Sequence, residues 1–174
     1  MVNDREFVRA LVACGALKFG TFTLASGKTS DYYVDIKKAT TRPDLLGEIA
    51  RRIAPHAKGF QRVAGVELGA VPIAAAVSLE IGTPFVIVRK EAKEHGTKVP
   101  FEGDMNPGDR VVFVEDVVTT GGTLRTAIER MRERGAVIQR AIAVVDREEG
   151  GTEALREAGV ELVALLRARD LRAA

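Results

Sequence analysis

The sequence predicts an α/β protein with a doubly wound, mainly parallel sheet flanked by helices. Three observations carry that expectation. Residues 85–88, 111–114 and 141–145 are short apolar runs rich in β-branched residues and without polar alternation, as strands buried on both faces require. Between them lie segments with apolar residues at helical spacing, such as Leu124, Ile128 and Met131. The connections are short, which is the pattern of repeated strand–helix–strand units.

At 174 residues the chain has the size of one domain burying a single core. Lys plus Arg is 26 and Asp plus Glu 24, so a net charge of +2 supplies no broad basic field for nucleic acid, and any anion site must be local. The longest apolar runs, such as residues 71–79, are too short for a membrane span, and the first residues lack the apolar core of a signal peptide. A cytoplasmic protein without membrane or nucleic-acid partners is expected. The single cysteine, Cys14, has no internal disulfide partner and falls in an apolar helical stripe, so it is read as buried filler.

Asn3 and Glu6 form a capping box for a first helix, with Phe7, Ala10, Leu11 and Cys14 on its apolar face and Gly15 ending it. Residues 19–36 read as two short strands joined by a turn at Ser26, Gly27 and Lys28. Pro43 starts a helix buried through Leu45, Leu46, Ile49, Ala50 and Ile53, Pro55 is expected to end it, and His56 then falls in a solvated loop. Residues 62–67 form the first core strand, followed by the turn 68–71 and an apolar helix from Pro72 to Ile81. Residues 89–110 show neither period, so no strand or helix is expected before Val111. After the helix that begins near Gly122 and ends before Gly135 come the strand 141–145, a polar turn 146–151, a short helix capped by Thr152, and a last strand at 160–166.

The chemistry concentrates where the strand 111–114 is closed by Glu115 and Asp116. Val117 and Val118 lead into Thr119, Thr120, Gly121, Gly122 and Thr123, a small-residue turn whose amides can converge on one anion at the positive end of the next helix. Two adjacent acids suit a vicinal diol, and a ribose 5-phosphate combines such a diol with a phosphate. The Lys-Ser/Thr of a nucleoside-triphosphate loop and a G-x-G-x-x-G are both missing.

Apolar strand, acid pair, two residues and Thr-Thr-Gly-Gly-Thr is similar to the phosphoribosyl pyrophosphate motif of the type I phosphoribosyltransferases. The order Arg89-Lys90-Glu91-Ala92-Lys93-Glu94-His95-Gly96 resembles the catalytic loop of orotate phosphoribosyltransferases, and the segment from Phe22 to Tyr33 resembles their N-terminal hood. The resemblance implies one domain over 1–174, with a hood of about 1–40 and a core of about 41–174. It implies transfer of ribose 5-phosphate from phosphoribosyl pyrophosphate to orotate, giving orotidine 5′-monophosphate and pyrophosphate in pyrimidine (UMP) biosynthesis. It also implies magnesium carried by the pyrophosphate rather than by protein side chains, and a homodimer whose lids serve neighbouring sites.

By the same resemblance, Glu115, Asp116 and residues 117–123 bind phosphoribosyl pyrophosphate together with Arg89, Lys90, Lys93 and His95. Lys93 is the candidate for charge stabilisation or proton donation, and Glu115 and Asp116 favour the ring cation. Thr119, Arg147 and Tyr33 are the candidate orotate contacts, Arg147 because a guanidinium suits a planar carboxylate. The turn 68–71 resembles the pyrophosphate loop by position. Two departures stand out: Ala25 occupies a hood position where many relatives have lysine, and the lysine often found in the pyrophosphate loop is replaced near Gly69. Lys28, Lys37 and Lys38 are the candidate substitutes. The alternatives are a purine or uracil phosphoribosyltransferase, and a non-catalytic sensor of phosphoribosyl pyrophosphate.

Overall fold

The computed structural model describes residues 2–23, 27, 29–90 and 99–172. Helix α1 (Asp4–Ala13) is closed by the expected capping box, with Glu6 N–H donating to Asn3 and Asn3 N–H to the Glu6 carboxylate, both at 3.0 Å. Strands β1 (Leu17–Thr23) and β2 (Thr29–Val34) pair antiparallel as a separate two-stranded sheet. A short α2 (Lys37–Thr40) leads into α3 (Pro43–Ala57).

The core follows as β3 (Arg62–Val66), α4 (Val71–Ile81), β4 (Phe85–Val88), β5 (Phe101–Glu102), β6 (Arg110–Val118), α5 (Gly122–Arg132), β7 (Val137–Asp146), α6 (Gly151–Glu157), β8 (Glu161–Arg167) and α7 (Ala168–Arg172). Its sheet has the order β5-β4-β3-β6-β7-β8, with every pair parallel except β4 and β5. The two-faced burial read from the sequence is literal. Val112 and Val114 pack with Ile142 and Val144 under Ile49 and Ile53 of α3 and Ile73 and Val77 of α4. Val111 and Phe113 pack with Ala141 and Ala143 under Leu124, Ile128 and Met131 of α5 and Leu155 of α6. Each of the valine, leucine, isoleucine, phenylalanine and methionine side chains among them contributes about 1.5–3 kcal/mol on burial.

α1 is fastened to α3 through Arg52, which pairs with Asp4 at 2.6 Å and donates at 2.9 Å to the buried Glu48, itself accepting from Arg51 at 3.2 Å and from the amide of Val2 at 3.2 Å. Burial would raise the Glu48 pKa, yet the hydrogen bonds from Arg52 and Arg51 hold it below the usual range. The Arg52 guanidinium also lies 4.5 Å over the Phe7 ring.

Several local expectations are corrected. Pro55 does not end α3; the helix continues through His56 to Ala57. The backbone bond a proline removes is only one, and the buried Ile53, Ala54 and Ala57 keep the last turn docked. Strand β6 runs past the acids to Val118, so Glu115 and Asp116 lie within it rather than closing it. β5 interrupts the segment expected to lack structure, and a two-residue strand has no period to detect. Cys14 is half-buried at the end of α1, and Thr152 lies inside α6, whose cap is Gly150. The short α2 and α7 were not foreseen.

Candidate active site

From β3 the chain steps outward to β4, returns to β6 on the other side of β3, and then steps outward again through β7 and β8. The strand order therefore reverses between β3 and β6, and the carboxyl ends of those strands open a crevice of the kind that holds ligands in doubly wound sheets. Two strand-to-helix turns meet there, residues 67–70 before α4 and residues 119–121 before α5.

In the second turn Gly121 caps α5 at φ +78°, a left-handed conformation that costs a residue with a Cβ about 1–2 kcal/mol. The turn encloses an open cleft of about 110 Å³ lined by Glu115, Val117, Val118, Thr119, Thr120, Gly121, Gly122, Thr123 and Leu124. The first amides of α5 have no partner within the helix, so this cleft offers N–H donors and a positive helix end to an anion. Gly151 of α6 braces it from behind: a Cβ on Gly121 would lie 3.2 Å from Gly151.

The two acids serve different walls. Glu115 lines the 119–124 cleft. Asp116 is turned to the other side, against the first turn: a Cβ on Gly69 would overlap its carboxylate and lie 2.7 Å from its Cγ. Burial, and then the neighbouring charge of Asp116, push the Glu115 carboxyl well above the usual carboxylate range. Asp116 also accepts from the amide of Val117 at 2.7 Å. A cis peptide joins Glu67 to Leu68 in the first turn, and the Glu67 carboxylate accepts from the amide of Lys90 at 2.9 Å.

Arg89 and Lys90 border a second cleft of about 230 Å³ with Val66, Gly122, Thr123, Thr126, Ala127 and Arg130. Arg89 pairs with Glu102 of β5, and Arg130 donates to the carbonyl of Lys90 at 3.0 Å. Lys93 and His95 lie outside the described residues, as do Lys28 and the rest of the charged segment 91–98.

Arg147 follows directly on the end of β7, beside Val118 at the end of β6. Its amide donates to the Val118 carbonyl at 2.9 Å, its Nε to Glu149 at 2.7 Å, and its guanidinium lies 5.1 Å over the ring of Tyr32. Asp146 beside it is buried and accepts from the amide of Glu148 at 2.9 Å and the Thr152 hydroxyl at 2.8 Å, which fixes the turn. Tyr33 points to the other face of β2, 41% exposed, with its ring 5.7 Å from Phe22. The aromatic that touches Arg147 is thus Tyr32 and not the expected Tyr33. The signal available was the alternation of faces along β2, which puts only one of two adjacent tyrosines on the core side.

The structure therefore puts Glu115 and residues 117–123 in one cleft, Arg89 and Lys90 in a second that shares Gly122 and Thr123 with it, Asp116 against Gly69, and Arg147 beside Val118 through its amide. An amide cradle, two separated acids, cations and a fixed guanidinium can hold a molecule with a phosphate, a vicinal diol and a second anionic group beside a planar carboxylate. Among the described residues no cluster of three or more His, Cys, Asp or Glu side chains is arranged to hold a metal, and no helix is long and apolar enough to cross a membrane.

The family described as "Phosphoribosyl transferase domain" matches residues 36–160. An orotate phosphoribosyltransferase of Methanosarcina acetivorans is 57% identical over 171 residues, which cover 97% of this chain and 91% of the relative. Among solved structures, orotate phosphoribosyltransferase from Aeropyrum pernix aligns with TM-score 0.85 at 34% identity, over 95% of each chain. Mycobacterium tuberculosis H37Rv orotate phosphoribosyltransferase in complex with 5-phospho-alpha-D-ribosyl 1-diphosphate aligns with TM-score 0.79 at 31% identity, over 98% of this chain and 99% of that one.

Proposed function

This chain belongs to the phosphoribosyltransferase family and, within it, to the orotate phosphoribosyltransferases, and from that premise we propose how its residues divide the work. The enzyme transfers ribose 5-phosphate from phosphoribosyl pyrophosphate to N1 of orotate, forming orotidine 5′-monophosphate and pyrophosphate. The observation that carries the residue assignment is the splitting of the acid pair, with Glu115 in the cleft at the start of α5 and Asp116 against the turn 67–70.

The 5-phosphate occupies the amides of 119–123, with Thr119, Thr120 and Thr123 adding hydroxyl donors. Glu115 and Asp116 take the two ribose hydroxyls. That places the anomeric carbon and its pyrophosphate toward the turn 67–70 and the cations of 89–95. Displacement passes through an oxocarbenium-like state, positive on the ribose and negative on the leaving pyrophosphate. The two carboxylates favour the first charge; Arg89, Lys90, Lys93 and His95 favour the second, and Lys93 is the group assigned to stabilise or protonate the departing oxygen. Orotate lies beside Arg147, which receives the base carboxylate, with Thr119 as a further contact and Tyr32, packed on the guanidinium, in the place expected of Tyr33. Glu149 engages only Nε, so the paired Nη groups remain the natural fork for that carboxylate.

Magnesium would arrive with the pyrophosphate; the carboxylates of Asp116 and Glu67 are hard oxygen donors that could face its water shell, and the ion would neutralise charge on the leaving group. The hood, about residues 1–40, covers the base, and the core, about residues 41–174, holds the sugar phosphate. A homodimer is proposed as well, with Leu68 of the turn 67–70, 77% exposed, available to a partner. The cytoplasm is the proposed location.

The decisive assay supplies phosphoribosyl pyrophosphate and magnesium with orotate, uracil, adenine or hypoxanthine in parallel. Nucleotide formation from orotate alone is expected. Turnover of another base instead would remove the assignment of Arg147, and binding without turnover would make the chain a sensor.

A further inference from the structure

β4 ends at Val88, yet the hydrogen bonding of its backbone runs on to Lys90. Toward β3, the amide of Glu67 donates to the Val88 carbonyl at 2.9 Å; toward β5, the amide of Arg89 donates to the Pro100 carbonyl at 2.8 Å. The amide of Lys90 turns back to the side of β3, where the Glu67 carboxylate receives it at 2.9 Å. The carbonyl of Lys90 is held as well, accepting from the Arg130 guanidinium at 3.0 Å. Both backbone polar groups of Lys90 are thus met by charged side chains from two other elements, the turn after β3 and helix α5. Lys90 is exposed, so water would satisfy the same groups, and burial does not require these bonds. What they fix is position.

That position borders the phosphate cradle. Thr123, Thr126, Ala127 and Arg130 recur at three- and four-residue spacing along one face of α5, and they line the cleft of about 230 Å³ together with Lys90 and Gly122. Gly122 and Thr123 also line the 119–124 cleft. The acid needs a reason of its own. The turn 67–70 consists of Glu67, Leu68, Gly69 and Ala70, and it brings a negative charge toward a leaving group that is itself anionic. As a charge alone Glu67 opposes pyrophosphate; as the acceptor for the Lys90 amide it serves it.

We propose that Glu67 and Arg130 are positioning residues for pyrophosphate that act through Lys90, holding its backbone so that it stands beside Gly122 and Thr123 before the substrate arrives. The proposal rests on the orotate phosphoribosyltransferase reading of the crevice, in which Lys90 serves the pyrophosphate. A backbone ordered on folding relieves the ligand of that ordering cost, and for one residue the gain is about tenfold in affinity.

The test is calorimetric titration with pyrophosphate, with and without magnesium, of wild type, Glu67→Ala, Glu67→Gln, Arg130→Met, Lys90→Met and the double variants that combine Lys90→Met with Glu67→Ala or Arg130→Met, alongside steady-state kinetics. Glu67→Ala is expected to weaken pyrophosphate about tenfold even without magnesium, although it removes a negative charge, and Glu67→Gln, whose amide oxygen still accepts the N–H, to restore most of the loss. Arg130→Met should lose a similar factor, and the KM for orotate should stay within about twofold throughout. In the Lys90→Met background neither substitution should cost more than about a further twofold. Unchanged or tighter binding in Glu67→Ala overturns the proposal, as does unchanged affinity in Lys90→Met. A loss in Glu67→Gln equal to that in Glu67→Ala overturns it too, because a carboxylate acting on magnesium needs its charge. Losses that add in full to that of Lys90→Met would mean direct contact with the ligand and equally overturn it. Melting within a few degrees of wild type excludes a folding defect, and the Arg130 cycle carries the test if Glu67→Ala melts early. Failure of the wild type to make orotidine 5′-monophosphate would instead remove the premise.

Discussion

The two strand-to-helix turns at the crevice both depend on a glycine, for different physical reasons. Gly121 is needed for its backbone: φ of +78° puts the chain in a left-handed conformation that aims the next amides at the cleft. Gly69 matters for its missing side chain, because a Cβ there would displace the Asp116 carboxylate from where it stands. The first requirement is local and can be read from Thr-Thr-Gly-Gly-Thr. The second is a contact between residues 47 positions apart in the numbering, 69 and 116, and exists only once β3 and β6 lie side by side. One turn makes its anion site from its own atoms; the other lends its space to a neighbouring acid.

A double-mutant cycle gives the largest expected effect and the sharpest test of that contrast. Asp116→Asn should lower kcat/KM about 100-fold or more, since one charged partner of the ribose is lost, and Gly69→Ala should fall in the same range by displacing that carboxylate. The double variant should be scarcely worse than either single one. Gly121→Ala should instead weaken phosphoribosyl pyrophosphate binding and lower stability by about 1–2 kcal/mol, and should add to Asp116→Asn. Full additivity in both cycles would abolish the distinction between the turns.

The guanidinium beside the turns should separate base from sugar phosphate. Arg147→Ala is expected to raise the KM for orotate about 10- to 100-fold while leaving that for phosphoribosyl pyrophosphate nearly unchanged, and a rise in both would place Arg147 with the phosphates instead. The acid inside the 119–124 cleft should be visible in stability. The Glu115 carboxyl titrates above the usual range in the folded chain, so folding favours its protonated form. Stability should therefore fall as pH rises from the usual carboxylate range through that raised value. Glu115→Gln should melt above wild type at neutral pH and converge with it in acid; melting curves that stay parallel across pH would contradict this. The smallest effect is expected far from both turns: Asn3→Ala should cost about 1 kcal/mol through the lost cap and leave the kinetics unchanged.

Much of this was legible because its causes are local. Four consecutive apolar residues, Val111 to Val114, announced a strand covered on both sides, and the capping box of Asn3 and Glu6 formed as spaced. What escaped depends on partners distant in sequence. Pro55 looks like a helix stop until Ala57 is seen docked against the core. Tyr32 and Tyr33 are chemically alike, and only the register of β2, which points Tyr32 at Arg147, tells them apart. β5 consists of Phe101 and Glu102, too short to show a pattern, and is created by its pairing with β4.

The amide of Arg89 donates to the Pro100 carbonyl at 2.8 Å, and Val88 pairs with Phe101 and Ile87 with Glu102. Those pairs settle where the chain leaves the sheet after Arg89 and where it rejoins it at Pro100, side by side at the carboxyl end of β4. Arg89, whose guanidinium pairs with Glu102, is therefore held by the sheet itself, and its position beside the start of α5 is inherited from backbone pairing.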